Sequence, residues 1–225
     1  MDLNRRFIWH GIGKVCSNLR KFFINKEPHE IGVQLFQKSE ININEGITVL
    51  VGCNGIGKTT LINTIKDEIK KNKIPMIHFN NLQDGDQNAR AEAMYYQDYQ
   101  FLADTWTASE GENIVVNLGI AAKKIGLLLR ENSNAKELWI LLDACDSGLS
   151  VDNVVELKTF FRSTVIPDNK EKRIYVIIAA NEYEMTNGEQ CFDVYNGEHI
   201  TFNDYDEYRE MILESRRQKD RRAKI

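Results

Sequence analysis

The chain has 225 residues, enough to bury one large core without disulfides or a metal, and 42% hydrophobic with 28% charged residues excludes a disordered or low-complexity polymer. Four scattered cysteines (Cys16, Cys53, Cys145, Cys191) form no C-x-x-C pair, which excludes a disulfide scaffold or zinc site, and no apolar run approaches the roughly 18 residues of a membrane span. The net charge of −4 is uneven: residues 1–26 and 216–225 each hold six Lys/Arg against one Asp, leaving an acidic body of −14 between them.

In chain order, Leu3, Phe7, Ile12, Val15, Leu19 and Phe22 or Phe23 recur at three- to five-residue steps with basic residues between them, which predicts an amphipathic helix over residues 3–24 that Gly11 and Gly13 weaken. No small-residue cleavage site follows this stretch, so the expectation is a cytoplasmic protein. β-like runs come next at Ile31–Phe36, Ile41–Ile43 and Ile47–Val51. Helical spacing marks Thr59–Lys71, Ala91–Leu102, Asn113–Arg130 and Val151–Phe161; Ile74–Phe79 is a strand candidate, and the apolar runs at Leu138–Leu142 and Ile174–Ala180 read as buried strands. Phe192–Tyr195 and His199–Phe202 flank Asn196-Gly197 as a hairpin, and a charged helix starts at about Tyr205. Strands alternating with helices predict an α/β domain around a largely parallel sheet.

Gly52-Cys53-Asn54-Gly55-Ile56-Gly57-Lys58-Thr59 fits G-x-x-x-x-G-K-[ST], between an apolar strand and a helix. Successive N–H groups there can wrap a β-phosphate, Lys58 reaches the β- and γ-phosphates, and the Thr59 hydroxyl can ligate magnesium. Asp143, ending the strand Leu138–Leu142, is the expected second magnesium partner. Ser109-Glu110-Gly111-Glu112 reads two ways: as a capping box opening the next helix, or as a serine hydroxyl and glycine N–H offered to a γ-phosphate on another subunit.

With these residues in order, the sequence resembles the ATP-binding cassette (ABC) ATPases, specifically their non-transporter branch of SMC/RecF-type ATPases. Gly52 to Thr60 looks like the Walker A motif, Ser109 to Glu112 like the signature motif, Asp143 like the Walker B aspartate and Ser147-Gly148-Leu149-Ser150 like the D-loop. The resemblance covers about residues 31–202. It implies a P-loop NTPase fold with a mostly parallel sheet, an antiparallel β edge and a short helical subdomain at about 81–130. The expected domains are a basic N-terminal helix (1–27), an ATP-binding domain (28–204) and a charged helix with a basic tail (205–225). ATP and Mg2+ are the implied cofactors, held by Gly52, Asn54, Gly55, Gly57, Lys58, Thr59, Thr60, Gln83, Ser109, Gly111 and Ser147. Lys58, Asp143 and Asn181 are the implied catalytic residues. The implied assembly is a head-to-tail homodimer around two ATP molecules, with Ser109 and Gly111 of one copy closing on the other's Walker A loop.

Three departures qualify the resemblance. Ala144 stands where the family has a glutamate that polarises the attacking water, Asn181 replaces the switch histidine, and only 57 residues separate Gly52 from Ser109, with no coiled-coil arm. Slow hydrolysis follows from the first two, because losing a general base typically costs about 100- to 10,000-fold. Asp146 is a weaker substitute for the base. The short interval also removes the surface through which transporter cassettes couple, so an integral membrane partner is not expected. It leaves the Q-loop glutamine open between Gln83, Gln87 and an exposed loop residue. Phe36 is a candidate for stacking on adenine or a core phenylalanine. The basic ends read either as packed and solvated helices or as contacts to nucleic acid or an anionic membrane. Two functions therefore stand: a slow ABC-type ATPase acting as an ATP-operated dimerisation switch, in DNA maintenance or phage-host conflict, and a non-catalytic ATP-binding module that recruits a protein or nucleic acid.

Overall fold

The computed structural model describes residues 19–24, 35–80, 94, 95, 97, 110–146 and 149–222. Its centre is a six-stranded sheet built from β3 (Gly46–Val51), β4 (Met76–Asn80), β5 (Glu137–Asp143), β6 (Arg173–Ala179), β7 (Gln190–Asp193) and β8 (Glu198–Ile200), in the spatial order β4-β5-β6-β3-β7-β8. All neighbouring pairs are parallel except β7–β8, which forms the antiparallel edge. β1 (Leu19–Phe23) and β2 (Glu40–Asn44) make a separate antiparallel pair. The helices are α1 (Lys58–Lys71), α2 (Glu110–Glu131), α3 (Val151–Phe160), the short α4 (Tyr183–Thr186) and α5 (Tyr205–Arg222).

The parallel strands are apolar at successive positions because both faces are covered. On one face Leu50, Trp139, Leu141 and Ile177 pack under Leu61, Ile62, Ile65 and Ile69 of α1, together with Phe22, Ile41 and Ile43 from the small sheet. On the other, Val49, Ile140, Leu142 and Ile178 meet Ala121 and Ile125 of α2, Val154 of α3 and Met185 of α4. Burying a side chain of this size is worth about 1.5–3 kcal/mol, so these two layers fix the strand ends that carry the loops. α3 runs into a π turn at Phe161–Val165, which carries Phe161 and Val165 into the second layer.

Most sequence-derived elements recur within a few residues. The expected N-terminal helix does not extend through residues 19–23, which are strand β1. There the exposed Leu19, Lys21 and Phe23 alternate with Arg20 and buried Phe22, a period of two that helical spacing masked because the Phe22-Phe23 pair suits either count. Pairing with β2 and burial of Phe22 opposite Ile41 override the helical period. The rest of that segment, residues 1–18, lies outside the described residues, as do 31–34 of the expected strand Ile31–Phe36; Leu35 and Phe36 themselves are not strand. Of the helix expected at Ala91–Leu102, Met94 and Tyr95 are helical and most of the rest lies outside the described residues. The hairpin is shifted two residues earlier on its first strand and stops at Ile200. Among the described residues, no helix is long and apolar enough to cross a membrane.

Candidate nucleotide-binding site

In an open parallel sheet, ligands gather at the carboxyl ends of the strands where the strand order reverses. Here β3 is entered from both sides, and its neighbour β6 stands between it and β5. The carboxyl ends of β3, β6 and β5 thus present the Gly52 loop, Asn181 and Asp143 side by side. A cavity of about 450 Å³ opens there.

Asn54, Gly55, Gly57, Lys58, Thr59 and Thr60 form one side of it, and Asp143, Ala144 and Asn181 form another. The loop's shape depends on its glycines. Gly52 has φ +139, and a Cβ there would lie 2.9 Å from Ile56 Cγ2; Gly57 has φ +121, and a Cβ there would lie 3.4 Å from the Phe36 ring. Gly57 precedes the first helical residue of α1, so the N–H groups of Lys58, Thr59 and Thr60 have no partner within the helix, and all three residues line the cavity. No acidic residue occupies that first turn, which keeps its positive potential unopposed.

Lys58 Nζ donates to the Gly52 carbonyl at 2.6 Å. Burial lowers its pKa below the ordinary 10.5, against the upward pull of Asp146, Cys53 and Asp143. Asp143 is buried and accepts from Asn80 Nδ2 at 3.1 Å; Asn80 ends β4 in direct register with it. Asp146 has no exposed surface, and its Oδ2 accepts the backbone N–H groups of Asn181 at 2.6 Å and Glu182 at 2.8 Å. Burial raises its pKa, opposed by those two N–H groups and by Lys58. In both Lys58 and Asp146 desolvation outweighs their mutual attraction. Asp146 does not line the cavity. Ala144 does, and it holds a left-handed conformation (φ 54), which costs a non-glycine residue about 1–2 kcal/mol.

Asn54, Gly55, Gly57, Lys58, Thr59, Thr60, Asp143 and Asn181 therefore meet at one cavity. Gly52 does not line this cavity but a neighbouring one, with Cys53, Asn54, Asn181 and Tyr208. Gly111 falls in the first turn of α2, while Gln83, Gln87, Ser109 and Ser147 lie outside the described residues. Phe36 is a core residue packed near Gly57, 3% exposed, and its neighbour Leu35 lines the cavity. The sequence reading missed Leu35, Asn80 and the whole contribution of α5. The polar Asn80 directly after the expected strand Ile74–Phe79 was a visible signal for one of them.

Tyr208, Ser215, Lys219 and Arg222 of α5 each bond a main-chain atom of the loops around the cavity. The basic tail, read from sequence as a solvated helix end or a phosphate contact, is thus engaged within the fold at Lys219 and Arg222, with the Arg222 guanidinium also 4.7 Å above the Tyr195 ring.

No protein-family model matches this sequence, and no curated protein matches it. Solved structures do, among them a nucleotide-free ATP-binding cassette from an ABC transporter; it is 16% identical with a TM-score of 0.45, the match covering 87% of this chain and 94% of that one.

Proposed function

We propose that the chain binds ATP with magnesium at this cavity and works as an ATP-operated dimerisation switch of the SMC/RecF type with slow hydrolysis. The observation that carries the reading is the meeting of Lys58, Thr59, Asp143 and Asn181 on one cavity beside a loop whose shape its glycines set. A loop of donors and a cation suit a triphosphate. The hydroxyl of Thr59 and the carboxylate of Asp143 are hard oxygen donors lining the same cavity, and magnesium typically takes one or two such ligands beside phosphate and water. When bound, the ion would neutralise charge on the β- and γ-phosphates.

Lys58 exchanges its bond to the Gly52 carbonyl for phosphate oxygens. Asn181 can hydrogen-bond a γ-phosphate but carries no charge. With Ala144 on the wall and Asp146 held by two N–H groups behind it, no described carboxylate other than Asp143 reaches the cavity to activate water. This same observation supports the second reading, a nucleotide-binding module without turnover that recruits a protein or nucleic acid.

Two copies would pair head to tail, with Ser109 and Gly111 of one closing on the γ-phosphate held by the other. Because that contact needs the γ-phosphate, ATP favours the paired state. Light scattering of the full chain with magnesium alone and with magnesium-ATP, with phosphate release followed in parallel, tests this. Doubling of mass with ATP, abolished by Ser109→Arg, is the expected result. A mass unchanged by bound ATP refutes the switch.

A further inference from the structure

The contacts of α5 with the loops around the cavity fall on one stripe. Tyr208, Ile212, Ser215, Lys219 and Arg222 recur at three- and four-residue steps, so they share a face about 21 Å long. Such a face is ordinarily an apolar seam. Here its polar groups end on backbone atoms: Tyr208 Oη donates to the Asn181 carbonyl at 2.6 Å, Ser215 Oγ accepts from Cys53 N–H at 3.0 Å, Lys219 Nζ donates to the Asn54 carbonyl at 2.8 Å, and Arg222 Nη1 donates to the Leu35 carbonyl at 2.9 Å. Asn181, Asn54 and Leu35 line the cavity, and Cys53 adjoins it in sequence.

The two loop contacts act on peptide planes. In a trans peptide the carbonyl and the N–H point in opposite directions. The Gly52–Cys53 peptide turns its carbonyl to Lys58 and its N–H to Ser215, so it is held from both sides. The Asn54–Gly55 peptide turns its carbonyl to Lys219 on the helix side, which directs the Gly55 N–H away from the helix, toward the cavity that Gly55 lines. A cation on the carbonyl also polarises that peptide and strengthens its N–H as a donor to an anion. When Lys58 moves to phosphate, the first peptide loses its inner anchor and Ser215 alone retains it. At the other end of the stripe Tyr208 holds the Asn181 carbonyl while Asp146 holds the Asn181 N–H.

We propose that α5 is a positioning element of the nucleotide site: Lys219 and Ser215 set the peptide orientations of the glycine loop for phosphate, and Tyr208 sets Asn181. This rests on the reading of the cavity as a phosphate site. Lys219 stands behind the loop and acts through the Asn54–Gly55 peptide.

The test is calorimetric titration of full-length wild type, Lys219→Met, Lys219→Arg and Ser215→Ala with magnesium-ATP, with an unfolding midpoint for each. Lys219→Met keeps length and removes the donor, and the loss expected for a charge-assisted hydrogen bond is about tenfold in affinity. Lys219→Arg restores binding to within about threefold of wild type, Ser215→Ala weakens it in the same direction, and the midpoint of Lys219→Met stays at the wild-type value. Wild-type affinity in both Lys219→Met and Ser215→Ala overturns the inference and leaves the nucleotide site standing. Loss of affinity that tracks a lowered midpoint, with no rescue by arginine, overturns it too, since α5 would then only hold the fold. A wild type that takes up no magnesium-ATP refutes the phosphate site itself, and the inference with it.

Discussion

Replacing Asp146 separates a strut from a catalytic base. Its Oδ2 accepts two backbone N–H groups, at 2.6 and 2.8 Å, from a position with no exposed surface. Hydrogen bonds to a charged group contribute about 1.5–3 kcal/mol each, and Asp146→Ala also leaves both N–H groups without this acceptor. Against this, removing the carboxylate relieves the desolvation that raises its pKa. The net expectation is a loss of about 2–4 kcal/mol, or a midpoint lowered by roughly 4–16 °C in a chain of this size. Asp146→Asn retains one carbonyl oxygen for the same N–H groups and relieves the buried charge, so it costs about half as much. Urea unfolding and thermal melts of the three proteins give these values, and phosphate release from the same proteins gives the second half of the answer. As a strut, Asp146→Asn keeps whatever slow turnover the wild type has. Two results refute the reasoning: Asp146→Ala within about 0.5 kcal/mol of wild type, or Asp146→Asn abolishing turnover at unchanged stability, which would make the carboxylate a base.

Lys58 gives a pH dependence of defined sign. Its folded pKa is lowered below 10.5 chiefly by burial, so the charged form is penalised in full below that folded value, and the fold gains stability as pH rises from there to the unfolded value. Nucleotide affinity runs the other way, because only the ammonium pairs with phosphate. Magnesium-ATP affinity should therefore fall as pH rises through the folded pKa, earlier than an ordinary lysine dictates, with proton uptake on binding visible by calorimetry in buffers of different ionisation enthalpy. A Lys58→Met variant with the same pH profile would exclude Lys58 as its source. Ala144 lies on the cavity wall, so Ala144→Glu places a carboxylate where water can be activated, and phosphate release should rise at least about tenfold. Unchanged release would favour the module that binds without turnover.

Local sequence was enough for the elements that carry the site. The glycine pattern from Gly52 to Gly57 needs positive φ values that other residues rarely adopt, and the apolar runs of β3, β5 and β6 had to be buried on both faces, so the loop, α1 and the position of Asp143 follow from nearby residues alone. The strand at Leu19–Phe23 was not legible, since its period of two becomes meaningful only beside Ile41, 19 residues on from Phe22. Phe36 and Leu35 are adjacent apolar residues, and only the packing of Gly57 against the Phe36 ring decides that one enters the core and the other faces the cavity. Asp146 and Asn181 are 35 residues apart, and they meet because β5 and β6 are parallel neighbours with their carboxyl ends level. The same holds for α5. Its charged composition reads as a solvated end, yet Ser215 and Lys219 meet residues more than 160 positions earlier, since the sheet brings the glycine loop to the end of the molecule where α5 returns. Charge and period act within a few residues of the chain, whereas the partner of a polar side chain is set by sheet order, and sheet order is a property of the packed whole.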